Sequence, residues 1–261
     1  MNLKKSSDNN KMAIAKPGEI VPLENVALCA IVCDEMMNPA GGIRNWLNRT
    51  LPYVGRGRIV DTGSVDGTRE VLEEMQAVYP HLEVVDHKFD GYGASRNVSL
   101  EVEGCGYALV LDADEILTPA DFEKIRTGMA EKWSMRYDVG FLHIDPDLNL
   151  VNGFSAHITR ILSIMKDFPP YIGSPGEGLM GGFQTARLPV RVKHFVPDAE
   201  GRRVKLDNWY NLLRSGNPAG KTPSETPGVE KWKQPNPHLE KIIDEGFRDW
   251  AGKVDMYPQV A

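Results

Sequence analysis

Residues 26–33 read ValAlaLeuCysAlaIleValCys, an unbroken apolar run that closes on the acidic pair Asp34-Glu35. Alternate side chains of a strand point to opposite faces of its sheet, so a strand with no polar face must be covered on both sides. Shorter strand candidates occur at Arg58–Asp61, Leu82–Val85 and Tyr107–Leu111. Helical patterns separate them. Ile43, Trp46, Leu47 and Leu51 fall on one face of a helix over about Ile43–Leu51. Asp66 can cap a second helix from about Gly67 to Val78, stopped by Pro80. A third runs from about Ala94 to Val102. The order β-α-β-α-β-α-β predicts an α/β fold with a mostly parallel, Rossmann-like sheet flanked by helices on both faces.

Beyond Pro119 the pattern changes. A helix to about Trp133 is followed by strands at Asp138–Ile144 and Phe154–Met165, which read as a hairpin around the Asp145-Pro146-Asp147-Leu148-Asn149 turn. Arg187–Val196 is a further strand. Residues 216–237 are rich in Pro, Gly, Ser, Thr and Lys and read as a linker or surface wrap. A last amphipathic helix is expected at His238–Trp250. These divisions give a polar N-terminal tail over 1–22, a domain over 23–215 and a C-terminal linker and helix over 216–261.

The net charge of −6 argues against a protein that lives on nucleic acid or an anionic membrane. No apolar run approaches the length of about 18 residues that a membrane span needs, and the N-terminal stretch lacks the apolar centre of a secretory signal. Cys29, Cys33 and Cys105 show no zinc-like spacing. Free packed thiols suit a reducing compartment, so a cytoplasmic location is expected.

In open α/β sheets ligands bind at the carboxyl ends of the strands. Asp34-Glu35, Asp61-Thr62-Gly63-Ser64 and Asp112-Ala113-Asp114-Glu115 all fall there. Carboxylates gathered at one rim repel one another unless a cation or hydrogen-bond donors stand between them. Asp112 and Asp114 have the spacing to offer oxygens to one hard divalent cation, and such a cation can offset charge on a departing diphosphate. Asp145-x-Asp147 repeats the spacing, but at a hairpin, and reads as a turn. Asp61 can accept a hydrogen bond from a base N–H. The same segment also suits an ordinary βα loop.

ValAspThrGlySerValAspGlyThr (60–68) resembles the nucleotide-binding segment of family 2 glycosyltransferases, which have the GT-A fold. LeuAspAlaAspGlu (111–115) is similar to their metal-binding Asp-x-Asp motif, and Asp90-Gly91-Tyr92-Gly93-Ala94-Ser95-Arg96-Asn97 to the Arg-Asn segment between the two. Order and spacing match over about residues 26–118. The resemblance implies a nucleotide-diphospho-sugar half over about 26–118 and an acceptor half over about 119–215. It implies an inverting single displacement with Mn²⁺ or Mg²⁺. By the same resemblance Asp34, Glu35, Asp61, Gly63, Ser64, Arg96 and Asp112 bind the donor, and Asp114 holds the metal. His194 in Val192-Lys193-His194-Phe195 completes the metal site or is structural. Glu177 stands where the family carries the carboxylate of a His-Glu pair and would be the catalytic base, although its predecessor is Gly176. Asp145 and Asp147 are its reserves. Arg202, Arg203 and Lys205 either face phosphates or form a solvated basic face. The implied partners are a nucleotide-diphospho-sugar, with uridine as base by family habit, and a glycan, lipid-linked or protein acceptor.

Three other classes compete. A haloacid-dehalogenase-type phosphatase would want Thr or Val where Ile116 stands, and would place its Asp-x-Asp after the first strand. A sugar-nucleotide nucleotidyltransferase would open with a Gly-rich basic loop, of which only Gly41-Gly42 is present. A nucleotide-sugar-binding module without catalysis would not need the retained carboxylates.

Overall fold

The computed structural model describes residues 20–196 apart from 37, 146, 147, 149, 151–156, 166–169 and 173–177. Glu177, Asp147, the Arg202-Arg203-Lys205 cluster, residues 1–19 of the N-terminal tail and the expected helix at 238–250 lie outside the described residues. So do the boundaries set at 215 and 216.

The described chain runs β1 (Leu23–Val32), α1 (Gly42–Thr50), a short 3-10 turn (Leu51–Tyr53), β2 (Val54–Asp61), α2 (Thr68–Val78), β3 (Leu82–Asp86), α3 (Tyr92–Ser99) and β4 (Tyr107–Val110). It continues through β5 (Glu115–Ile116), α4 (Pro119–Glu131), β6 (Arg136–Ile144), β7 (Ile158–Ser163), β8 (Tyr171–Ile172), β9 (Gly178–Leu179) and β10 (Thr185–Phe195). One sheet carries the order β3-β2-β1-β4-β7-β6-β10-β5, and β8 and β9 form a separate two-stranded ribbon. β3, β2, β1 and β4 are parallel to one another. β7 joins antiparallel between β4 and β6, and β10 lies parallel to β6.

The two-sided burial read from β1 is realised residue by residue. Val26, Leu28, Ala30 and Val32 enter the larger apolar cluster, with Trp46 and Leu47 of α1, Leu72 of α2 and Phe122 of α4. Ala27 and Cys29, the alternate positions, enter a second cluster with Leu100, Ala108, Val110 and Leu162. Period-two alternation inside an apolar run thus divides one strand between two cores.

Some boundaries differ from the expectation. α2 begins at Thr68 with Gly67, left-handed at φ 99, in its cap position. Asp66 uses one oxygen to accept from the Thr68 N–H at the helix start at 2.9 Å, as expected of a cap, and the other to accept from Met36 N–H at 2.9 Å, bracing one loop against the next. α3 starts and ends earlier than read, and the return strand β7 is confined to Ile158–Ser163. Pro189 sits inside β10, but between Arg187 and Arg191, where the pairing with β6 shifts register. A proline cannot donate to the ladder and is tolerated at such an irregularity.

β1 and β2 also change register between Leu23 and Ala27. There the chains pass so close that a Cβ on Gly55 would lie 2.2 Å from the Glu24 carbonyl oxygen. Gly55→Ala is therefore expected to destabilise the protein by about 1–3 kcal/mol, the usual range for overpacking. Urea denaturation should show a lower midpoint with an unchanged slope.

Candidate functional site

Parallel order places the carboxyl ends of β2, β1 and β4 side by side, with the loops after β1 and β2 in direct contact. Asp34, left-handed at φ 56, is a conformation Asp tolerates better than most residues. Its N–H donates to Ser64 Oγ at 3.0 Å, and its Oδ1 accepts from the Val65 N–H at 2.7 Å. The Glu35 N–H donates to Thr68 Oγ1 at 2.8 Å. Buried Asp61 folds its own loop: Oδ1 accepts from the N–H groups of Gly63 and Ser64 at 2.9 and 2.8 Å. At Gly63, φ 116 demands glycine, and a Cβ there would meet nothing within 4 Å. The loop surface above it is open.

On the other side of β1, Arg96 of α3 is buried and paired with Asp112. Arg160 of β7 lies 3.6 Å from the second oxygen of Asp112 and pairs with Glu115. Glu115 Oε2 accepts from the Asp112 N–H at 3.2 Å, and the Glu115 carbonyl accepts from the fully buried Trp46 indole at 3.0 Å. The α1 core residue thereby anchors the Asp-x-Asp turn. Asp114 is 5% exposed, and its carbonyl accepts from the Phe195 N–H at 2.8 Å. This brings His194 Nε2 to 3.7 Å from Asp114 Oδ1. The Arg160 guanidinium also lies over the Phe141 ring at 5.1 Å, and its Nε is buried without a hydrogen bond.

Two arginines against three carboxylates set the electrostatics. Burial disfavours the Asp112 anion, but Arg96 and then Arg160 outweigh it and hold this carboxyl below its ordinary range. Glu115 goes the other way: burial dominates, Arg160 only partly compensates, and its carboxyl is pushed up to about 7. His194 is disfavoured as a cation by burial, yet the neighbouring Asp114 carboxylate more than offsets this and raises it. Because folded Glu115 binds its proton more tightly than the unfolded chain does (ordinary value 4.5), its contribution to stability is full at acid pH and is lost as pH rises through about 7. Glu115→Gln is expected to flatten that part of the pH–stability curve, read as urea midpoints between about pH 4.5 and 7.5. A wild-type curve already flat there would contradict the assignment.

Of the expected site residues, Asp34, Asp61, Gly63 and Ser64 thus form one interlaced loop pair, with Glu35 at its edge. Arg96, Asp112, Asp114 and His194 come together around the β4–β5 turn. Asp145 lies at the end of β6, where its carbonyl accepts from the Leu148 N–H at 3.0 Å, the turn read from sequence. Three residues of the site were not picked out from the sequence. Glu115 was counted only as part of an acidic cluster, whereas it is the buried hub between Asp112 and Arg160. Arg160 is a lone cation in the strand IleThrArgIleLeuSer, and that was the available signal. His143 is visible only once β6 and β10 are known to pair.

Among the described residues no group of three or more His, Cys, Asp or Glu side chains could hold a metal ion by itself. Asp114 and His194 nonetheless fit a cation shared with a ligand. Bonds of about 2.1 Å to each span up to about 4.2 Å, which accommodates their 3.7 Å separation. Asp112 is engaged by the two arginines, so it is a poorer ligand than Asp114.

Residues 58–150 match the family described as Glycosyl transferase family 2. The matched stretch runs from β2 past β6 and contains Asp61, Arg96, Asp112 and Asp114 but not His194. No curated protein matches the chain. Among solved structures, S. aureus TarS 1-349 in complex with UDP-GlcNAc is similar at 14% identity with a TM-score of 0.49, over 73% of this chain and 65% of that one. S. aureus TarS 1-349 is similar at 17% identity with a TM-score of 0.41, over 51% of this chain and 38% of that one. The chain therefore spans less than two thirds of either structure's length. Residues 58–150 of this chain, on a mostly parallel α/β sheet, are thus similar to glycosyl transferase family 2.

Proposed function

We propose that the protein transfers a sugar from a nucleoside-diphospho-sugar, with uridine the first base to test, to an acceptor hydroxyl by inverting single displacement. The observation that carries this reading is the convergence of Asp61, Asp112, Asp114 and His194 at one edge of the sheet, three of them inside the matched segment. Oδ1 of Asp61 is committed to its loop, so a base N–H would meet Oδ2. Arg96 and Arg160 fix Asp112 beside the sugar end of the donor. Asp114 and His194 would hold Mn²⁺ or Mg²⁺, which when bound neutralises the diphosphate. The acceptor oxygen attacks the anomeric carbon, the bond from that carbon to the phosphate oxygen breaks, and the nucleoside diphosphate leaves. The acceptor proton goes to a carboxylate, for which Glu177 remains the first choice. The acceptor is a glycan, lipid-linked or protein hydroxyl. No described helix is long and apolar enough to cross a membrane, and the three cysteines are free thiols. A cytoplasmic location is part of the proposal.

The rival enzymes fit less well. After β1, Asn38 takes up the loop that a nucleotidyltransferase would use for phosphate: its carbonyl accepts from the N–H groups of Gly41 and Gly42, and its Oδ1 from Ala40 and Gly42. Asp112, clamped by two guanidinium groups, is a weak nucleophile for a phosphatase. The test is nucleoside diphosphate release from a panel of UDP-, GDP- and dTDP-sugars by purified protein, with water as default acceptor. Metal-dependent release from one nucleotide class is expected. Release of inorganic phosphate from sugar phosphates, with every nucleotide sugar left intact, would overturn the reading.

A further inference from the structure

His143 and His194 are Cα partners in the parallel β6–β10 ladder, so their side chains leave the same face of the sheet one above the other. Their rings meet edge to face, 4.9 Å between centroids, with Nδ1 to Nδ1 at 2.7 Å. Phe141, two residues earlier on the same face, flanks both rings at 6.3 and 6.4 Å. Two imidazole nitrogens at this distance require one proton between them: two bare lone pairs or two N–H groups would repel. The far nitrogen of His194, Nε2, faces Asp114 Oδ1 at 3.7 Å. That is longer than the 2.7–3.2 Å typical of an N–H···O bond.

We propose that His143 is a positioning residue that accepts the Nδ1 proton of His194 and so holds the Nε2 lone pair of His194 toward Asp114, ready for a divalent cation. The proposal rests on the metal reading above. A histidine ligand can offer only an unprotonated nitrogen, and which nitrogen that is follows from the hydrogen bond its other nitrogen makes. Here the partner is a second imidazole in place of a carboxylate or carbonyl. It is placed there by strand register, which is why no local sequence motif announces it.

Two readouts test this without turnover. Nitrogen-15 NMR of the metal-free protein, with both imidazoles neutral, should find the His194 proton on Nδ1. In His143→Phe, which keeps an aromatic ring beside Phe141 but no acceptor, the proton should move to Nε2. His143→Asn, whose amide oxygen can accept near the Nδ1 position, should restore it. Mn²⁺ titration followed by electron paramagnetic resonance should give an affinity about 10–100-fold weaker in His143→Phe and within about threefold of wild type in His143→Asn. An unchanged His194 tautomer in His143→Phe would overturn the proposal, whatever the metal does. Wild type that binds Mn²⁺ no better than Asp114→Asn would overturn the metal reading instead, and the tautomer measurement would still decide the role of His143.

Discussion

Arg160→Met is expected to destabilise the protein by about 3–5 kcal/mol at neutral pH, the cost of removing one partner from a buried ion pair. The guanidinium compensates the Glu115 carboxylate, which is 2% exposed, and contributes to holding Asp112 ionised. Methionine fills much of the volume over Phe141 but offers no charge. Glu115 then has the Asp112 N–H as its remaining described partner besides water, and lowers its own energy by taking up a proton. The loss should therefore shrink as pH falls. It should also shrink in the double variant Arg160→Met/Glu115→Gln, because the second change removes the charge that the first left uncompensated. Urea denaturation of the four proteins in the cycle measures the coupling directly. Additive losses would mean that the two side chains do not interact in solution.

Asp114→Asn is expected to lower turnover by about a hundredfold or more, since metal stabilisation of a leaving diphosphate is worth several kcal/mol and each 1.36 kcal/mol is tenfold. The substitution keeps the shape of the side chain, and the backbone carbonyl that accepts from the Phe195 N–H is untouched. The melting midpoint should accordingly stay within about 4 °C of wild type, the shift that about 1 kcal/mol produces in a protein of this size. A variant that melts normally and turns over normally would remove Asp114 from the mechanism. Initial-rate measurements over a range of Mn²⁺ concentrations separate a lost metal from a lost donor.

The first half of the fold was legible because its signals are local. An apolar run such as Val26–Cys33 states its own two-sided burial, and helices with one apolar face lie between such runs. Asp34, Asp61 and Asp112 could be placed at the same rim because parallel strands share their carboxyl ends. What could not be read was anything set by pairing between distant strands. The second half of the sheet depends on β7 inserting between β4 and β6, which brings Arg160 to Glu115. It depends equally on β10 lying beside β6, which brings His143 to His194. A charged residue in a short apolar strand hints that a partner exists, but the identity of that partner is a property of the topology. At α2 the capping role read for Asp66 holds, since one oxygen accepts from the Thr68 N–H; its second oxygen is used by the preceding loop through Met36. The cap position itself is held by Gly67, whose φ of 99 no other residue type adopts cheaply.

The central claim is that this rim binds a nucleoside diphosphate together with a divalent cation. A thermal-shift screen against UDP, GDP, CDP and dTDP, each with and without Mn²⁺, tests it most directly. At about 1 mM ligand and a Kd of about 0.1 mM, mass action adds about 1.4 kcal/mol to the folded state, or roughly 3–5 °C. The account predicts such a rise with one nucleoside diphosphate, dependent on Mn²⁺ and absent in Asp114→Asn. No rise with any of the four, in either metal condition, would contradict it.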